Sequence, residues 1–203
     1  MSKCDRLPAL LVAALMLAAG PLAAQQSTTR GFSLGVQLQG ASLSVEDGDA
    51  DNGGGLGLKL GYGINRIVTL YVALDGAQVT AENAPNLTGE WSMAHVDFGA
   101  RFHFANSLRR WVPYLEAAIG SRVVGVDEAQ VDGQDVPDTN FNGAAFTVGG
   151  GLSVYVKQSF ALDAGLRVSG GEFTEVEVGQ VSVGGLNIDA TSTRLGVGVV
   201  WWP

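Results

Sequence analysis

Residues 95–104 read HVDFGARFHF: His95, Asp97, Gly99, Arg101 and His103 alternate with Val96, Phe98, Ala100, Phe102 and Phe104. Successive side chains of a β-strand point to opposite faces, so this period of two makes one face polar and the other apolar. Two environments accept such a strand. In a soluble sheet the charges meet water and the phenylalanines meet a core. In a membrane barrel the phenylalanines meet lipid and the charges face the interior. The rest of the chain decides between the two.

Seven further segments alternate in the same way. GFSLGVQLQG (31–40), GLGLKLGYGI (55–64) and RIVTLYVALDG (66–76) precede the quoted stretch; WVPYLEAAIGSRVVG (111–125), AAFTVGGGLSVYV (144–156), SFALDAGLRVS (159–169) and TSTRLGVGVVWW (191–202) follow it. The chain has 29 glycines against 6 prolines in 203 residues, a density that disfavours helices and suits closely curved sheets. Eight segments of about ten residues match tilted strands crossing a bilayer, and the number is even, as it must be if both ends lie on one side. The connections alternate as well: GINR, ANSLRR and KQS are short, and the four others run to about 10–20 residues, the pattern of outer-membrane barrels. The expected fold is therefore all-β: an eight-stranded antiparallel up-and-down transmembrane β-barrel. Phe32, Tyr62, Phe104, Trp111, Tyr155, Phe160, Trp201 and Trp202 gather near the short turns. Aromatic rings there suit the membrane–water interface, where both solvents are within reach.

At the N-terminus, Lys3 and Arg6 precede the apolar run LPALLVAALMLAAG, and PLAA follows, which reads as an export signal covering residues 1–24. Cleavage is expected after Ala24, leaving a barrel domain over 25–203 and removing Cys4, the one cysteine. After residue 24 no run approaches the roughly 18 apolar residues of a membrane helix.

The strand map sorts the charges, although it was drawn without them. Long connections hold Glu46, Asp47, Asp49, Asp51, Glu82, Glu90, Asp127, Glu128, Asp132, Asp135, Asp138, Glu172, Glu175, Glu177 and Asp189, with no Lys or Arg. Short turns hold Arg66, Arg109, Arg110 and Lys157, with no acid. The inward phase holds Lys59, Arg101, Arg122, Arg167 and Arg194 beside Asp75, Asp97, Glu116 and Asp163. An eight-stranded barrel is just wide enough to be filled by side chains, so these nine residues are expected to form a salt-bridged plug. Each cation is expected to find an acid within one or two strands.

These patterns resemble the small eight-stranded outer-membrane barrels, similar to the N-terminal barrel of OmpA-type porins. The resemblance spans about residues 30–202 and is carried by VPYLEAAIGSRVVG, by GGGLSVYVKQSFALDAGLRVSGG and by the aromatic last strand. It implies an outer-membrane location, lipid as the main partner, and assembly machinery that recognises the terminal strand; here Pro203 follows Trp202. The peptidoglycan-binding domain of many relatives is not expected after residue 203. Outer-membrane lipid A deacylases resemble the same barrel and use a lipid-facing His-x-Ser pair. Here Ala105 stands two residues after His103, and both histidines, His95 and His103, are on the inward phase. No enzyme, and so no catalytic residue, is expected.

EDGDADNGGG (46–55) spaces Asp47, Asp49 and Asp51 like a calcium loop, but Asn52 and Leu58 stand where an EF-hand requires Gly and Glu. A hydrated acidic loop is expected, with weak divalent cation binding as the remaining reading. The triple glycines lack the helix and Lys-Ser/Thr of a phosphate loop, and an acidic chain offers nucleic acid no basic patch. No cofactor is expected. The expected role is that of a monomeric structural or surface-interaction barrel. The rivals are a small channel, which would conduct, and a soluble exported barrel with an apolar ligand pocket.

Overall fold

The computed structural model describes residues 29–45, 51–80, 87–104, 110–131, 134–135, 139–179 and 181–203. The export segment 1–24, the acids at 46–49, and Glu82, Ala105, Arg109, Asp132 and Asp138 lie outside the described residues. Eight long strands run through the chain: β1 Gly31–Val45, β2 Asp51–Gly63, β3 Val68–Thr80, β4 Leu87–His103, β5 Trp111–Val131, β6 Thr139–Lys157, β7 Phe160–Val178 and β8 Val181–Trp201. Each pairs antiparallel with its chain neighbours, and β1 pairs with β8 from Leu34↔Trp201 to Val45↔Ala190, so the ring closes and no long edge is left. A two-residue strand, Gln134–Asp135, folds back on the end of β5.

HVDFGARFH occupies the short-turn half of β4, and Phe104 follows it. Its Phe98 pairs with Val72 on one side and Ile119 on the other, and Ile119 pairs in turn with Phe146, giving an outward apolar row across four strands. Phe98 is 58%, Ile119 65% and Leu38 69% exposed. Bands of this kind are costly in water and favourable against acyl chains. Asp97, Arg101 and His103, one residue out of phase with the phenylalanines, are buried inside.

The strands are longer than the ten or so residues read from the sequence. β7 and β8 continue until Val178 pairs with Val181, leaving only Gly179 and Gln180 between them, with Gly179 at φ 59°. Glu172, Glu175, Glu177 and Asp189 therefore stand on strand rather than in a loop. The alternation continues there, in EVEV (175–178), VSV (181–183) and LNID (186–189), but the acids interleaved with it make the stretch read as a loop.

Inward glycines make room for inward rings. A Cβ on Gly99 would lie 2.8 Å from the Tyr71 hydroxyl, and one on Gly151 would lie 2.6 Å from Tyr114 Cζ. Each tyrosine lies over the glycine paired with it on the next strand, Tyr71 with Gly99 and Tyr114 with Gly151.

Candidate functional site: the barrel lumen

Inward side chains are stacked in three levels. Nearest the short turns, Val112, Tyr155, Ala161 and Trp202 form an apolar cluster with Val200 packed against it. Nearest the long hairpins, Ala41, Leu43, Ala77, Val79, Met93, Val124, Phe173 and Ala190 form another, backed by Trp91, Phe141 and Ile188. The charged residues lie between them.

Four carboxylates and four cations form one connected chain. Glu116 Oε2 accepts from Lys59 Nζ and Arg101 Nε, both at 2.9 Å. Arg101 reaches on to Asp163 with Nη1 at 3.0 Å and Nη2 at 3.4 Å, and lies over the Tyr114 ring, 3.6 Å from its centroid. Asp163 also accepts from Tyr114 Oη at 2.9 Å and Ser153 Oγ at 2.5 Å. The second half centres on Asp75, which accepts from Arg167 Nη1 at 2.5 Å and Arg194 Nη1 at 2.6 Å. Arg194 Nη2 continues to Asp97 at 3.1 Å and Ser169 Oγ at 2.6 Å. Arg167 Nε, 3.7 Å from Glu116 Oε1, joins the two halves.

Glu116 meets the expectation of neighbours one or two strands apart, with Arg101 on the adjacent strand and Arg167 two strands on, but other pairs do not. Arg101 on β4 meets Asp163 on β7, and Arg167 on β7 meets Asp75 on β3, so these bonds cross the lumen. Long guanidinium arms from opposite walls meet near the axis of a narrow barrel, and the intervening glycines give them room. Arg122 is the second difference. It donates Nη2 to the Gly171 and Ala190 carbonyls at 3.1 Å, lies over the Phe173 ring at 4.6 Å, and bonds no carboxylate among the described residues.

Uncharged polar partners escaped the sequence reading. Gln37 donates to Asp75, Gln39 accepts from Arg167, and Thr147 donates to Asp97. The signal that could have found them is their inward phase; the charges alone drew attention. The histidines each use one ring nitrogen, His103 with Thr69 Oγ1 at 3.1 Å and His95 with Ser192 Oγ at 3.3 Å. Neither Nδ1 has a hydrogen-bond partner, so no carboxylate–histidine–hydroxyl relay is assembled among the described residues. Those residues also contain no group of three or more His, Cys, Asp or Glu that could hold a metal ion.

Of the aromatics expected at the interface, Tyr62, Phe104, Trp111 and Trp201 are exposed on the outer wall near the short turns, and Phe160 is half-buried. Phe32 packs edge-on against Tyr62 at 5.1 Å. Tyr155 and Trp202 correct the expectation: they are 2% and 4% exposed and point inward. Tyr155 shares the phase of Ser153, and Trp202 follows outward Trp201 by one residue, so strand geometry turns both rings onto the open end of the charged layer.

Among solved structures, Neisserial surface protein A superposes with a TM-score of 0.62 at 22% identity, covering 84% of this chain and 96% of that one. Ail, the attachment invasion locus protein of Yersinia pestis, gives 0.54 at 16%, covering 85% and 100%. OprG from Pseudomonas aeruginosa gives 0.51 at 10%, covering 87% and 97%. At these identities the likeness is one of fold. No curated protein sequence matches the chain. Residues 9–200, which contain the whole ring but for its last residue, match the outer membrane protein beta-barrel domain family, and this chain, an outer-membrane β-barrel, belongs to that family.

Proposed function

We propose that this outer-membrane barrel is a closed, monomeric scaffold that presents its long-hairpin end to the outside as a surface-interaction region and conducts no steady ion current. The observation that carries the reading is the stacking of the interior: a continuous salt-bridged layer between two apolar clusters. An aqueous pore needs mobile water along the axis. Here cross-lumen arginines fill the waist, and Met93, Val124 and Phe173 on one side and Tyr155 and Trp202 on the other cover it.

Orientation follows from assembly. An even number of strands leaves both chain ends on the short-turn side, and a barrel inserted from the periplasm keeps them there. The outer end then carries Asp51, Glu172, Glu175, Glu177 and Asp189, a negative field that attracts cationic partners and divalent cations and repels phosphate-rich ones. The charged interior argues against an apolar ligand pocket, and the closed hydrogen-bond ring needs no strand from a second copy. Planar-bilayer recording of the purified, refolded protein tests the reading. Silent bilayers are expected; large, stable openings of the unmutated protein would replace the scaffold with a channel.

A further inference from the structure

Among the described residues, five cations and four network carboxylates face the lumen, and Arg122 is the cation that bonds none of the four. Its side chain has no exposed surface, and its Nε and Nη1 have no hydrogen-bond partner. Two neighbours share the condition: Arg194, also at 0% exposure, has an unpartnered Nε, and His95, at 2%, has an unpartnered Nδ1. The three reach successive inward positions of one strand. Arg122 donates to the Ala190 carbonyl, His95 contacts Ser192 Oγ, and Arg194 occupies the next inward position of β8. His95 and Arg122 are also directly paired across β4 and β5.

From this geometry we propose that the lumen binds one small monovalent inorganic anion, of halide size, among Arg122, His95 and Arg194. Guanidinium has donors and no acceptor, and His95 presents Nδ1–H in the tautomer whose Nε2 accepts from Ser192 Oγ. All four unpartnered nitrogens therefore seek an acceptor. Ala190, Ser192 and Arg194 span two inward steps of β8, about 13 Å, so an ion level with Ser192 is reached by the long arms of Arg122 and Arg194 extending toward it from either side. A water molecule could take some of these bonds and would leave the unbalanced charge in place. An anion answers both, and a buried guanidinium without a counter-charge is the costlier of the two defects. Met93 and Val124, the next inward residues beyond His95 and Arg122, seal this level on the long-hairpin side. That seal restricts the site to a small ion acquired as the barrel folds. The Phe173 ring covers one face of the Arg122 guanidinium and leaves its edge for the anion.

The test is to refold the protein in detergent with sodium bromide or sodium gluconate at equal ionic strength and to measure the thermal midpoint, alongside crystals grown in bromide. The midpoint is expected to rise by about 3–6 °C per tenfold increase in bromide above half-saturation. In Arg122→Met it is expected to be the same in both salts. Anomalous density is expected against the Nε and Nη1 edge of Arg122. Equal midpoints in bromide and gluconate for the unmutated protein, or no anomalous density at that edge, would overturn the proposal. Should Arg122→Met fail to fold, the anomalous map of the unmutated protein decides alone.

Discussion

Glu116→Ala removes the carboxylate that joins the two halves of the lumen network. Three cations touch Glu116: Lys59 and Arg101 at 2.9 Å, and Arg167 at 3.7 Å. Their losses are unequal. Arg101 keeps both oxygens of Asp163, and Arg167 keeps Asp75, whereas Lys59 loses the one carboxylate it bonds among the described residues. Breaking a buried pair by deleting one partner costs about 3–5 kcal/mol, chiefly because the other charge is stranded. Lys59 is the most exposed member of the network, its side chain 12% accessible, and it borders a cavity of about 20 Å³, room for a water molecule. Partial hydration puts the expected loss at the lower end, about 3 kcal/mol. Because a stranded ammonium is the cause, Lys59→Met in the Glu116→Ala background should recover about 2 kcal/mol of it. Equilibrium urea unfolding from lipid vesicles, followed by fluorescence of the four tryptophans, measures both. A Glu116→Ala midpoint corresponding to less than about 0.5 kcal/mol, or a double variant no more stable than the single one, would refute the reasoning.

Cysteines placed at Gly179 and at Gln158 should label oppositely on intact cells: the first with a membrane-impermeant maleimide, the second only after the outer membrane is permeabilised. The reverse pattern would invert the orientation. Gly151→Val should destabilise the barrel by about 1–3 kcal/mol, because its side chain overlaps the Tyr114 ring, whereas Gly170→Val, with open space around its Cβ, should stay within about 0.5 kcal/mol of the parent in the same unfolding assay.

Much of the barrel was legible in the sequence, because alternation is a property of the local backbone. Side chains two apart share a face whatever the strand's neighbours, so HVDFGARFHF already assigned Asp97 and Arg101 to one side and Phe98 and Phe102 to the other. Eight repeats of the pattern, with connections alternately short and long, implied the number of strands and their up-and-down order. Strand length was less legible. Residues 172–189 do alternate, in EVEV (175–178), VSV (181–183) and LNID (186–189), but the acids and glycines among them read as loop residues while the ladder continues.

What the sequence by itself determined was therefore the wall: which residues face lipid, which face inward, and that nine of the inward residues are charged. The interior's arrangement was decided by tertiary structure. Arg101 bonds Asp163 62 residues away, and Arg167 bonds Asp75 92 residues away, while Arg122 bonds none of the four carboxylates. The two apolar clusters that close off the charged layer emerge at the same level. Phase along a strand is set by backbone geometry every two residues. Which inward side chains meet across the axis depends on how the ring closes and how its strands are staggered, and that involves all eight strands at once.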